Sequence, residues 1–327
     1  MYKKLIWFTA GLAFCVIVLG AYVRLSDAGL GCPDWPGCYG QIDVPKGAQE
    51  IAAAQQAFPG KPVEGHKAIK EMAHRYLAGS LGLLILAIVV IAWRKRRELR
   101  QSPMLASVLV GLVIFQALLG MWTVTLLLKP AIVLAHLLGG MATLALLAWL
   151  TLRQGANKQQ LNFSLAHRLR GWAWLGLVIV FAQILLGGWV SSNYAALACA
   201  DFPLCQGRWL PAMDFSHAFH FTRELGMTAS GSLLPHEALT AMHWTHRVGA
   251  LVTFLYIGGL GIALLRNRGF ATLGASMLGL LLVQLSLGVS NVLFSLPLPV
   301  AVAHNGVAAL LLISLVVLNF RLNFKRT

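Results

Sequence analysis

Eight long apolar runs determine what this chain can fold into. Each is close to the roughly 20 helical residues that cross a hydrocarbon core. Only 11% of the 327 residues are charged and 58% are hydrophobic, too apolar for a soluble protein of this length. The sequence therefore predicts an all-α integral membrane protein, whose first run is a retained helix rather than a signal peptide. We place the runs at approximately 5–23, 74–93, 104–127, 131–152, 172–192, 243–265, 273–294 and 299–320.

The net charge of +15 follows membrane topology rather than a nucleic-acid-binding surface. Eight crossings put both termini on one side, which carries 16 of the 26 basic residues and a single acid, Glu98. Because basic loops stay cytoplasmic, we expect a membrane protein with both termini in the cytoplasm, anionic lipid around it and no nucleic-acid partner. The basic residues of this side are Lys3, Lys4, the Arg94–Arg100 cluster, Arg153, Lys158, Arg168, Arg170, Arg266, Arg268, Arg321, Lys325 and Arg326.

The two halves of the chain repeat each other at an offset of 167 to 172 residues. A C-x-D-[WF]-P-x-C-x-G frame occurs at 32–40 and again at 199–207. We predict two parallel, pseudo-symmetric four-helix bundles, residues 1–155 and 170–327, joined by a cytoplasmic linker at 156–169. The other matched positions are His74 with His246, His136 with His304, Gln116 with Gln284, Gly120 with Gly288, and Leu19-Gly20 with Leu186-Gly187.

The four repeated histidines point to two metal sites. We expect His74 and His246 to begin their helices at the non-cytoplasmic surface, and His136 and His304 to lie about 8 Å below it at 1.5 Å per residue. Polar side chains inside a membrane are costly and indicate function, although any single histidine could simply bond across helices. Two histidines are too few for zinc. A haem supplies four nitrogens and needs only axial ligands, so we predict one bis-histidine haem site in each half.

The halves differ one helical turn before the first histidine of each pair. Glu71 precedes His74, whereas His243 stands at the matching place before His246. A carboxylate beside a haem edge can accept or relay protons, which an imidazole would not do in the same way. We predict that the first site reacts and the second transfers electrons. The alternative is that Glu71 only caps or solvates the start of a helix, where acids are favoured.

Two arginines directly follow the first histidine of each pair. Arg75 and Arg247 could fork onto haem propionates, which are carboxylates. They could equally extend their head groups to the membrane surface. Both interpretations remain open from the sequence.

Four of the five cysteines form two pairs in non-cytoplasmic loops. Cys32 with Cys38 and Cys199 with Cys205 share a C-x5-C spacing, in a location where disulfides persist. A structural disulfide is the simplest interpretation, and a labile redox pair is the alternative. Cys15 lies in the middle of the first run, where we expect it to pack against neighbouring helices.

These motifs, taken together, resemble the haem A synthase family over the whole length of the chain. The residues that carry the resemblance are Glu71-Met-Ala-His74-Arg75, Thr245-His246-Arg247, the two later histidines His136 and His304, and the paired C-x5-C loops. The resemblance implies an enzyme that oxidises a methyl substituent of haem O to a formyl group by successive hydroxylations, giving haem A.

The same resemblance implies roles for individual residues. Haem O would bind as substrate at His74 and His136, with Glu71 as the catalytic residue, and a haem b cofactor would be held by His246 and His304. Expected partners are membrane lipid, a haem O synthase that delivers the substrate, an electron donor that the sequence does not identify, and further copies of the chain in a homo-oligomer.

Two other functions use the same pattern. A di-haem cytochrome b that only carries electrons needs the four histidines, but such carriers spread their haems across both membrane faces. A repeat-built transporter has broken helices and a site near the midplane. The four shallow histidines on one side disfavour both.

Overall fold

The computed structural model describes residues 1–99, 101–155 and 163–323, and all regular secondary structure within these ranges is helical. Eight of the helices are long and apolar enough to cross a membrane. The described helices are α1 (Tyr2–Leu25), α2 (Ala48–Ala57), α3 (Gly65–Arg94), α4 (Arg96–Leu99), α5 (Met104–Thr125), α6 (Pro130–Gly155), α7 (Phe163–Ser192), α8 (Phe215–Ala218), α9 (His236–Leu265), α10 (Ala271–Leu293) and α11 (Leu298–Asn323).

The eight predicted spans are confirmed as α1, α3, α5, α6, α7, α9, α10 and α11, but three of them start well before the predicted residue. Helix α3 begins at Gly65, α7 at Phe163 and α9 at His236, because a helix continues through polar turns beyond its apolar run. The prediction that His74 and His246 begin their helices is therefore wrong. Both histidines lie more than two turns inside, with a polar helical segment between them and the preceding loop.

Spanning helices that follow one another in the sequence within each half also pack against one another. Helices α1, α3, α5 and α6 contact one another in a ring, and α7, α9, α10 and α11 form a second ring. Contacts of α1 with α11, α6 with α11, and α6 with α7 join the two rings. One apolar core runs through both, including Ile85 and Leu147 in the first ring and Ile257 and Leu315 in the second.

The predicted division into residues 1–155 and 170–327 stays a prediction. Part of the predicted linker, 156–162, lies outside the described residues. So do Arg100, Lys158, Lys325 and Arg326 of the basic set, together with the side chain of Arg168.

One end of the helix assembly carries both long connections, residues 26–64 and 193–235, and we call it the loop face. Helix α2 lies in the first connection and α8 in the second. Lys129, in the short turn between α5 and α6, pairs with Glu224 of the second connection at 3.0 Å. This ion pair shows that loops of the two halves meet at one end of the molecule.

Candidate functional site

The structure brings His74 and His136 together between α3 and α6. Their ring centres are 6.5 Å apart and the ring planes are nearly perpendicular, at 82°. Both rings are partly buried. Two imidazoles that share one metal ion through bonds of about 2 Å have their ring centres roughly 6 Å apart. The observed spacing therefore suits a metal ion held between them.

Each of the four repeated imidazoles lies against a glycine of a neighbouring helix. A Cβ atom built on Gly20 would be 2.9 Å from the Cε1 atom of His74, and one on Gly187 would be 3.0 Å from that of His246. Corresponding distances are 3.5 Å at Gly120 for His136 and 3.1 Å at Gly288 for His304. A larger residue would displace the ring in at least three of these places, so the glycines set where the imidazoles sit.

Glutamine side chains hold the second pair of histidines. The Gln183 Nε2 atom lies 3.0 Å from Nδ1 of His246 and also donates to its backbone carbonyl at 3.0 Å. The Gln284 Nε2 atom lies 3.2 Å from Nε2 of His304. Sequence reasoning missed Gln183, because its counterpart in the first half is Val16 and the repeat gives no signal. Its position as a polar residue inside an apolar span could have identified it.

The donor set fits a haem in both halves. Buried Nδ1 atoms of His74, His136 and His304 have no hydrogen-bond partner within the described residues. A buried polar atom left unpaired costs about 1 to 3 kcal/mol, which a bound ligand can offset. No cluster of three or more His, Cys, Asp or Glu residues in the described ranges could hold a metal ion unaided. An iron that brings its own porphyrin nitrogens needs only the imidazoles that are present.

Glu71 is buried, with 5% of its surface exposed, and both of its oxygens are engaged. Oε2 accepts a hydrogen bond from the Cys32 amide at 2.9 Å, and Oε1 pairs with Nη2 of Arg75 at 2.5 Å. Because α3 begins at Gly65, Glu71 lies in its second turn, so the interpretation of Glu71 as a helix cap is wrong. The carboxylate joins the helix that carries His74 to the first disulfide loop.

His243 occupies the matching position in the second half. Its Nδ1 atom lies 3.3 Å from the Cys199 amide nitrogen, and its Nε2 atom lies 3.2 Å from Nε of Arg247. A carboxylate can accept from both donors, whereas a neutral imidazole has a single acceptor nitrogen and satisfies one of them at a time. The two halves therefore share an architecture and differ in charge and in proton-accepting capacity.

The side chains of Arg75 and Arg247 extend to the disulfide loops and bond there. Arg75 Nη1 donates to the carbonyl of Asp34 at 2.9 Å, and Arg247 donates to the carbonyls of Leu204 at 2.7 Å and Cys199 at 2.8 Å. Their head groups are held by backbone carbonyls of these loops. Extension of the two side chains to the membrane surface stays a prediction. Binding of haem propionates by these arginines stays a prediction.

The structure places both predicted cysteine pairs at disulfide distance. The Cα atoms are 4.8 Å apart for Cys32–Cys38 and 4.7 Å for Cys199–Cys205. Cys15 is exposed on α1, so the expectation that it packs against neighbouring helices is wrong.

An aspartate fixes the turn of each disulfide loop. Asp34 accepts from the amides of Tyr39 at 2.6 Å and Gly40 at 2.8 Å. Asp201 accepts in the same way from Gln206 at 2.7 Å and Gly207 at 2.8 Å. The Gly207 and Gln206 amides hold the pKa of the Asp201 carboxyl below its ordinary value.

Comparison with known proteins places this chain in one family. Residues 3–316 match the COX15-CtaA family model, described as cytochrome oxidase assembly protein. The chain is 43% identical to the haem A synthase of Shewanella oneidensis, over 93% of this chain and 92% of that protein. It is 29% identical to the haem A synthase of Halalkalibacterium halodurans, over 79% and 85% respectively, and 28% identical to that of Caulobacter vibrioides, over 94% and 92%. The chain belongs to the COX15-CtaA family, with haem A synthases among its relatives.

Proposed function

We propose that this protein is a haem A synthase that oxidises a methyl substituent of haem O to a formyl group. The observation that carries the proposal is an asymmetry between two otherwise matched histidine sites. Glu71, a buried carboxylate, lies one turn from His74, whereas His243 takes its place beside His246. A pure electron carrier has no use for this difference, while an enzyme with one reactive site does.

The two sites receive different haems. Haem O binds as substrate at His74 and His136, next to the carboxylate. A haem b cofactor is held by His246 and His304, where Gln183 and Gln284 already position the rings. When bound, haem b supplies one-electron transfer.

Oxidation of the methyl group proceeds through two hydroxylations. The first gives an alcohol and the second a geminal diol, which loses water to leave the aldehyde of haem A. With dioxygen as the oxygen source, each hydroxylation takes up one O2, two electrons and two protons from outside the chain. One oxygen atom enters the C–H bond and the other leaves as water. Glu71 takes up or passes on protons, and Arg75 compensates its charge while the carboxylate is ionised.

The fold proposed for this chemistry consists of two pseudo-symmetric four-helix bundles. Arg24 donates to the Ser191 carbonyl at 2.9 Å, and the Tyr194 hydroxyl donates to Asp27 at 2.9 Å. Both contacts join positions that are 167 residues apart, which is also the offset between the two repeats. Contacts between repeat counterparts are expected beside a two-fold axis, so they support the arrangement.

In our proposal the protein lies in the bacterial inner membrane, with the loop face and both haem sites outside and both termini in the cytoplasm. The bacterial relatives and the eight apolar helices support this location. Delivery of haem O by a haem O synthase and self-association belong to the same proposal.

Extraction of the bound haems tests the function. The protein is purified from cells that also make haem O, its haems are extracted with acid–acetone, and the haems are separated by chromatography. A synthase yields haem O or haem A together with haem b. Two equivalents of haem b alone would indicate an electron carrier, and an absence of haem would favour transport.

A further inference from the structure

Arg24 is a cation at the loop face that the proposed function does not use. It lies on α1, four residues after Gly20, the glycine against which His74 rests. Four residues of helix rise about 6 Å and return to the same face. Arg24 is therefore one turn closer to the loop face than the contact between α1 and His74.

The Arg24 guanidinium has partners on the other half of the protein but little compensation of its charge. Nη2 donates to the Ser191 carbonyl at 2.9 Å, and the group lies over the Tyr194 ring, 4.0 Å from its centre. Its ion pair is with Asp27, at 3.9 Å, and that carboxylate is 66% exposed. Nε of Arg24 is buried without a hydrogen-bond partner among the described residues.

Two other cations near the first site are already paired with carboxylates, and a third is a lysine, which lacks the planar fork of a guanidinium. Arg75 is held by loop carbonyls and by Glu71. Lys67 pairs with Glu64 at 2.7 Å, and Lys70 lies over the ring of Tyr22. Arg24 is thus the guanidinium of this region that combines an unused N–H with a weakly compensated charge.

We propose that Arg24 binds a propionate carboxylate of the substrate haem, an inference that rests on the proposed function. A haem carries its two carboxylates on one edge, and in a membrane that edge favours the polar end of the helices. An arginine fork matches a carboxylate in geometry and in charge. Among the described residues, Arg24 provides such a guanidinium one helical turn closer to the loop face than the contact between α1 and His74.

The contact is specific to the first site. The repeat counterpart of Arg24 is Ser191, which has no charge and whose carbonyl is itself bonded by Arg24. The second site therefore lacks an arginine at this position.

Esterified haem provides the test. Iron protoporphyrin is titrated into purified protein as the free acid and as the dimethyl ester, and the ratio of the two affinities is measured by absorbance. The wild type is expected to bind the free acid at least about tenfold more tightly, as a charged hydrogen bond would give. In Arg24→Gln the ratio should fall close to one, because the amide can still donate to Ser191 but has no charge.

Two further variants separate a binding role from a structural one. Arg24→Lys keeps the charge and should keep a ratio between those of the wild type and Arg24→Gln. Tyr194→Phe removes the hydroxyl bond to Asp27 and should leave the wild-type ratio. Retained absorption of the haem at His246 and His304 reports that each variant is folded.

An unchanged ratio in Arg24→Gln would overturn the inference, and so would a wild type without preference for the free acid. Turnover of haem O by the wild type is measured in parallel. If turnover occurs while the ratio is unaffected by the substitution, only the inference about Arg24 fails. If the ratio responds but haem O is never oxidised, the proposed function fails and the carboxylate site stands.

Discussion

Glu71 and His243 lie between equivalent donors, each flanked by the amide of a disulfide cysteine and by an arginine four residues further along the helix. The chain thus contains its own example of an imidazole in the place of the carboxylate. Replacing Glu71 with histidine therefore removes the carboxylate but keeps a side chain that can bond to the same neighbours.

We expect Glu71→His to fold and bind haem but to make little haem A. The imidazole can accept from Cys32 as His243 does from Cys199, whereas the proton-accepting carboxylate is lost. A general base contributes about 10²- to 10⁴-fold to a rate, so the yield of haem A in cells supplied with haem O should fall by a factor of that order. Glu71→Ala should also retain haem and make none of the product.

The reciprocal variant, His243→Glu, is the matched control. It keeps the loop contacts and leaves the first site untouched, so haem A production should persist. Normal haem A output from Glu71→His would show that Glu71 takes no part in the chemistry and only joins α3 to the first disulfide loop.

Substitution of the glycines behind the imidazoles should weaken haem binding in one half at a time. Gly20→Ala puts a Cβ atom 2.9 Å from the His74 ring, and Gly187→Ala puts one 3.0 Å from that of His246. Because the ring must move, we expect the first variant to lose the substrate haem and the second to lose haem b, with affinities reduced by about tenfold for each 1.4 kcal/mol of strain. Titration with haem and separation of the extracted haems measure both effects.

Gly11→Ala is the control for this pair. It lies on α1 with nothing within 4 Å of the added atom, and alanine in a helix is more stable than glycine by about 0.5 to 1 kcal/mol. Its haem content should equal that of the wild type. An equal loss in all three variants would mean that general disturbance of the helices, rather than the imidazole contacts, is responsible.

Loss of one axial histidine should empty one site. His136→Ala should lose haem O and keep haem b, and His304→Ala should do the reverse, because the pairs lie in separate helix rings. The haemochrome spectrum of the purified variants gives the haem content per chain. A haem content per chain that equals that of the wild type in both variants would contradict axial ligation by these histidines.

The Cys32–Cys38 disulfide should contribute stability more than chemistry. Its ends are six residues apart, and closing so short a loop stabilises the fold by about 2 kcal/mol on the chain-entropy account. Since Asp34 and Arg75 also hold the loop, the Cys32→Ser, Cys38→Ser double variant should melt at a lower temperature yet keep its haems below that point. Thermal unfolding followed through haem absorption measures this.

Haem A output distinguishes the two roles of this cysteine pair. A structural disulfide leaves output in proportion to the folded protein, whereas a redox role would abolish it in protein that is still folded. Cys15→Ser, at an exposed free cysteine, should change neither stability nor output.

The sequence predicted the spans and the histidine pairs because both leave periodic or repeated signals. Apolar length identified eight helices, and the repeat matched His74 with His246 and His136 with His304. The predicted starts of α3, α7 and α9 were wrong, since hydropathy marks the apolar part of a helix and not its polar extension to Gly65, Phe163 and His236.

Contacts that depend on the folded chain left no such signal. Nothing in the spacing of Arg75 indicates that loop carbonyls from residues about 40 positions earlier hold its head group. Gln183 has no repeat counterpart of its own type, so its bond to His246 became visible only in three dimensions. Arg24 belongs to no motif in the sequence, and its unused N–H becomes visible only in the folded chain.

The bond from Arg24 to Ser191 also bears on self-pairing of the halves. Two copies of the first half paired about the proposed axis would bring guanidinium against guanidinium at position 24. Two copies of the second half would bring serine against serine, with no cation between them. The seam is therefore heterotypic: it joins a charged position to an uncharged counterpart within a single chain.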